Sequence, residues 1–119
     1  MKTETPNAST SSTATGELTP TTIFDLLAND HRRYTLHYLS QKVGAISLGD
    51  LAEQIAIWED APTYEQYERI LTGLHHRHLP KLVAAGIVHY DVEAESIELL
   101  ETADPLLPHL KLVAPTDIQ

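Results

Sequence analysis

The chain reads as a winged helix-turn-helix, mainly α with a small β-hairpin, and three observations predict it. Leu48, Leu51, Ala52 and Ile55 recur at the i, i+3, i+4, i+7 spacing of a half-buried helix, directly after Ser47, a helix-capping residue. A second helical period runs from about Tyr64 to Ala85 and stops at Gly86. Two strand-like runs follow, Ile87 to Tyr90 and Ser96 to Leu100, with Asp91 to Glu95 as the bridge between them. A short helix, a long helix and a hairpin in that order form a unit that presents one helix outward beside a wing.

Each element has its own local signal. The first helix is expected near Pro20, with Thr19 as N-cap and Ile23, Phe24 and Leu27 as its apolar stripe. Asn29 and Asp30 break that run and cap a second helix from about His31 to Gln41, with Leu36 and Leu39 on one face. Gly44 is its stop, and Ala45 with Ile46 suits a short strand. Ser47 then caps the short helix, with Asp50 three residues on as an acidic form of the capping box, and Trp58 closes it. On the long helix, Tyr67, Ile70, Leu71, Leu74, His78 and Leu82 share one side, and Gln66, Arg69, Gly73, His76, Arg77 and Pro80 project from the other. Pro80 lacks an amide hydrogen, so a bend is expected that releases the carbonyl of His76. Residues 1–18, rich in Ser and Thr, are expected to be disordered, 19–101 to form the domain, and 102–119 to be a Pro/Leu-rich tail that packs on the domain or on a second subunit.

Composition narrows the function classes. A chain of 119 residues with 42% hydrophobic content supports one domain with a real core. It has no cysteine, which excludes a disulfide framework, a thiol nucleophile and cysteine-ligated zinc. No apolar run is long enough for a bilayer, and the N-terminus lacks a signal-peptide layout, so a cytoplasmic protein is expected. A glycine-rich phosphate loop, a nucleophile elbow and a His-Glu-x-x-His helix are all missing, so no enzyme, cofactor or metal is expected. The net charge of -9 is unusual for a DNA binder, whose basic surface normally displaces counterions from phosphate. Concentrated salt removes that objection, because at 1 M the Debye length is only about 3 Å. Many acids, few lysines and many threonines fit such a cytoplasm.

The candidate DNA-reading face is Arg69, Gly73, His76, Arg77 and Lys81. Arginine suits guanine edges and phosphate through its two-pronged fork, and a glycine lets a helix approach a groove. Between Tyr64 and Leu82 the chain carries one net positive charge, against -10 for the rest. Arg32 and Arg33 open the second helix, where they either touch phosphate or pair locally with Asp30 or Glu17. The bridge residues Asp91, Glu93 and Glu95 make the wing acidic, which keeps it out of a minor groove. His75 and His78 stand at i, i+3 and could share a metal, but no second ligand cluster accompanies them, and His78 falls on the apolar side as a core histidine. Trp58, Tyr64 and Tyr67 form an aromatic group beside the turn.

Three stretches carry a resemblance: Leu27-Ala28-Asn29-Asp30-His31-Arg32-Arg33-Tyr34; Ser47-Leu48-Gly49-Asp50-Leu51-Ala52-Glu53 with Trp58-Glu59; and His78-Leu79-Pro80-Lys81-Leu82 with Ala85-Gly86. In this order they resemble a small family of haloarchaeal winged-helix proteins described as a domain of unknown function, over about Asp25 to Leu100. The chain is more loosely similar to arsenic-repressor-type regulators, in which an Asp-x-x-Arg-Arg helix precedes the helix-turn-helix. The resemblance implies a winged helix and a role in transcription, and brings no established functional residues. The metal ligands of the looser relatives are commonly cysteines, which this chain lacks, and its Ile57 to Tyr64 connection is longer than a standard tight turn. The function expected is a homodimeric, DNA-binding transcription regulator acting on double-stranded DNA in a high-salt cytoplasm. The alternative is a winged-helix protein-protein interaction module that does not bind DNA.

Overall fold

The computed structural model describes residues 18–113; the expected disorder of the N-terminal stretch falls on residues outside them, except Leu18. The architecture is mainly helical with one three-stranded antiparallel sheet, compatible with a winged helix-turn-helix. Helix α1 spans Pro20–Leu27, and the Thr19 hydroxyl accepts the Thr22 amide at 3.1 Å. Helix α2 spans Asp30–Ser40, and Asn29 Oδ1 accepts the amides of His31 and Arg32. Gly44, at φ +80°, turns the chain into strand β1, Ile46–Ser47. Helix α3, Leu48–Trp58, starts where Ser47 Oγ accepts the Asp50 amide at 2.9 Å. These caps match the sequence expectation to within a residue.

The connection after α3 closes in a defined motif. The Ala61 amide donates to the Ala56 carbonyl and the Asp60 amide to the Ile57 carbonyl, both at 2.9 Å. That paired geometry needs a left-handed residue at its centre, and Asp60 takes it with φ 59°. Thr63 then caps α4, Tyr64–Gly73, by accepting the Gln66 amide at 3.1 Å.

The long helix departs from expectation in the turn before Pro80. It widens into a π turn over Leu74–His78, in which the Leu79 amide donates to the carbonyl of Leu74, five residues back. Helix α5, Leu79–Ala84, continues from there. A wide turn relieves the clash between a proline ring and the carbonyl four residues before it. It also shifts the phase of the apolar stripe. Leu79, which a strict 3.6-residue period leaves off the inner side, is fully buried, and Leu71 is only half-buried.

Gly86, at φ +78°, ends the helix, and strands β2, Val88–Asp91, and β3, Ser96–Leu99, form the wing. The sheet order is β1-β3-β2, with Ile46 opposite Ile97 and Val88 opposite Leu99. The Leu48 amide donates to the Glu95 carbonyl at 2.8 Å, which fastens the wing's turn to the start of α3.

The segment expected as a C-terminal tail from 102 belongs in part to the domain. A 3-10 helix over Glu101–Leu106 leads into α6, Leu107–Val113, and Ala103, Leu106 and Leu110 join the core. Their spacing of three and four residues gives even this proline-rich stretch one apolar face, and it settles on α1 and α2. The core itself gathers Leu26, Leu36, Leu51, Ile55, Leu74, Leu82, Ile87 and Ile97, all essentially without solvent contact. Among the described residues no helix is long and apolar enough to cross a membrane.

Truncating Leu51, fully buried on α3, leaves a cavity that neighbouring elements cannot close. Leu51→Ala is expected to lower unfolding free energy by about 2–5 kcal/mol, measured by urea denaturation. Val43→Ala, at a fully exposed position, is expected to shift it by less than about 0.5 kcal/mol.

Candidate nucleic-acid interface

Four of the residues expected to face DNA come together. Arg69, Gly73, His76 and Arg77, with Glu68 and Thr72, line an open depression of about 470 Å³ on the outer side of the long helix. The Arg69 guanidinium donates to Gln66 Oε1 at 2.9 Å and lies 3.7 Å from the Glu65 carboxylate. Both ends of that ion pair are mostly exposed, so solvent screens it and it is readily exchanged for a phosphate. Arg77 is exposed and makes no hydrogen bond or ion pair among the described residues. The His76 ring is exposed and stands edge-on to that of His75, 4.6 Å between centroids. At Gly73 a Cβ would meet only the His78 ring at 3.9 Å, an ordinary contact, so packing does not demand glycine there.

The other three expected contacts are placed elsewhere. Lys81 is not part of the depression; its ammonium sits 3.0 Å from Asp25 of α1, in a half-exposed pair. Arg33 donates to the Leu27 carbonyl at 2.6 Å and pairs with Asp30, the local pairing that the sequence left open. Arg32 is corrected outright: it is 8% exposed and cannot reach a phosphate. Its Nε donates to the Leu26 carbonyl at 2.9 Å, Nη2 to the Asp25 carbonyl at 3.0 Å, and Nη1 faces His78 Nδ1 at 3.3 Å. Carbonyls at the end of a helix run short of intrahelical donors, and the folded-back guanidinium supplies them, at Asp25 beside the amide of Ala28.

His78 is therefore a core histidine, as its position on the apolar side implied, but its partner is a side chain. An arginine can only donate, so Nδ1 must accept, and the ring is the neutral tautomer with its proton on Nε2. Burial, and then the charges of Arg32, His31 and Arg77, push its pKa from 6.5 to about 4. Beside it, His31 Nε2 lies 2.7 Å from Glu59 Oε2, and Gln66 Nε2 donates to Glu59 Oε1 at 2.9 Å. This chain of contacts joins α2, the end of α3 and α4. No local pattern announces it, because Arg32 and His78 are 46 residues apart and His31 and Glu59 are 28 apart.

His75 and His78 part company. His75 Nδ1 reaches the Tyr90 hydroxyl of the wing at 2.8 Å, whereas His78 points into the core. Among the described residues no three His, Asp or Glu side chains are placed to hold a metal. The expected aromatic group also divides. Trp58 packs on α2 between Tyr34, His37 and Tyr38, while Tyr64 and Tyr67 pair with each other. Asp91, Glu93 and Glu95 are exposed, so the wing presents carboxylates.

The family described as a domain of unknown function, DUF7344, matches residues 24–98. No curated protein and no solved structure matches the chain.

The depressed pKa of His78 has a definite sign. The unfolded chain takes up this proton near pH 6.5 and the folded chain only near pH 4. The contribution is thus complete above about pH 6.5, is lost as pH falls toward 4, and amounts to on the order of 3 kcal/mol. Urea unfolding at pH 7 and pH 5 is expected to show a smaller drop in stability for His78→Gln than for the unsubstituted chain. Equal drops in the two proteins would remove His78 as the source.

Proposed function

The chain belongs to the DUF7344 family, and on that footing we propose that it is a DNA-binding transcription regulator of the winged helix-turn-helix type. The outer side of the long helix enters the major groove, with Arg69, His76 and Arg77 toward bases or phosphates. The observation that carries this reading is the shared depression: two exposed arginines, one of them unpaired, flank a bare glycine on a helix whose other side is buried. Lys81 contributes a phosphate contact if it leaves Asp25 (an exchange of one half-exposed ion pair for another). Arg33 is committed to the Leu27 carbonyl of α1 and to Asp30, and Arg32 serves the core.

The proposed regulator works as a homodimer in a high-salt cytoplasm, which the acid-rich, lysine-poor composition suits. Two copies would set their long helices on half-sites roughly 34 Å apart. Screening by concentrated salt makes the net charge of -9 compatible with phosphate. Catalysis has no part in this role.

Two observations favour a second reading, a protein-protein interaction module that does not bind DNA. Glu68 lines the same depression as the arginines, and the wing beside the long helix is acidic. Either feature suits a basic or polar protein surface better than a phosphate backbone.

Anisotropy titrations of labelled duplex DNA at rising potassium chloride separate the two. Affinity is expected to fall linearly on a log-log plot, and Arg77→Ala to weaken binding about tenfold and to shorten the slope by about one. A chain that ignores duplex DNA even at low salt, while its Arg77→Ala form keeps a protein partner, establishes the second reading.

A further inference from the structure

A different cavity, about 450 Å³, lies between α3 and the start of α4; Gly49, Asp50, Glu53, Ile57, Tyr64 and Tyr67 form most of its lining. The two tyrosine rings stand 6.1 Å apart, their planes tilted by 33°. The Tyr67 hydroxyl lies over Gly49 so closely that a Cβ there would be 3.1 Å from it, so the bare glycine gives the ring its place. The Glu68 carboxylate near the Tyr64 hydroxyl raises the pKa of that tyrosine. Tyr64 and Ile57 remain largely open to water, so the cavity offers apolar surface that the fold does not use.

Its charge is one-sided. The carboxylates of Asp50 and Glu53 make no hydrogen bond or ion pair among the described residues, and no lysine or arginine lines the cavity. Two helix starts face it, α3 at Gly49 and Asp50 and α4 at Tyr64. Each brings about half a positive charge, together about one against two carboxylates, so the cavity stays negative. An anion is repelled there, and a neutral aromatic leaves both carboxylates unused. A cation with a carbon surface uses everything present: tyrosine faces attract it through their quadrupoles, and the carboxylates neutralise it.

We propose that this cavity binds a small organic cation of the alkylammonium or quaternary ammonium class between Tyr64, Tyr67, Asp50 and Glu53. None of these four residues lines the depression with Arg69 and Arg77, so the site stands whether or not the chain binds DNA. Its walls belong to both α3 and α4, so an occupant touches the two helices together.

The test is an NMR titration of the full chain with choline, at constant ionic strength held by sodium chloride, beside the uncharged carbon analogue of the same shape. Choline is expected to shift the Gly49 amide and the Tyr67 ring protons saturably, and the uncharged analogue to do so at least about fivefold more weakly. Glu53→Gln and Tyr64→Leu, both at exposed positions that leave the core intact, are each expected to weaken choline about fivefold. The proposal is overturned if no saturable shift occurs, if the uncharged analogue binds as well, or if both variants, folded by their amide spectra, bind choline like the parent chain.

Discussion

A buried guanidinium governs this fold. Arg32 sits where three elements meet: it takes up two carbonyls at the end of α1, belongs to the first turn of α2, and faces His78 in the π turn of the long helix. A charge held away from water is tolerable only when its donors are engaged, and removing one partner costs far more than the pair contributes. That requirement fixes the direction in which α1 leaves α2. It also requires a neutral imidazole opposite, and burial first and the Arg32 charge second keep His78 in that form. The long helix is thus tied to the first two helices by a hydrogen-bonded contact as well as by its buried leucines Leu74, Leu79 and Leu82.

The same constraint sorts the basic residues into two populations. Arg32 and Arg33 spend their donors on carbonyls and a carboxylate of the helix ends beside them. Arg69 and Arg77 stay on the outer side of the long helix, one loosely paired and one unpaired. Net charge is a poor guide to such a surface. With acids spread over the wing, α3 and the loops, local placement decides what approaches the helix.

Most of the fold was legible in the sequence, because its signals are local. Thr19, Asn29 and Ser47 are side chains whose oxygens accept the first amides of the helices they open, and Gly44 and Gly86 take the left-handed positions that follow helices. The stripe Leu48, Leu51, Ala52, Ile55 is buried as its period requires. The wide turn was hidden because a proline announces only that regular geometry fails, not which remedy the chain adopts. The fate of Arg32 was hidden for another reason: an arginine in a first turn looks the same whether it reaches outward or folds back, and its partner His78 lies far along the chain. The outward face was more legible, since Arg69, Gly73, His76 and Arg77 follow helical spacing and gather as spacing suggests. Lys81 escaped because the side of a helix does not reveal which neighbour, here Asp25, waits beside it.

The π turn also acts as a vernier on the surface. In an unbroken α-helix, the eight steps from Arg69 to Arg77 would carry the second arginine about 80° past the first. A turn whose bonded groups lie five residues apart under-rotates and swings Arg77 back toward the meridian of Arg69. A straight helix one residue shorter between Gly73 and Leu79 would set its two arginines seven steps apart, only about 20° out of line. The wide turn therefore works as an angular setting: it absorbs one residue of length while holding the two guanidinium groups near one meridian.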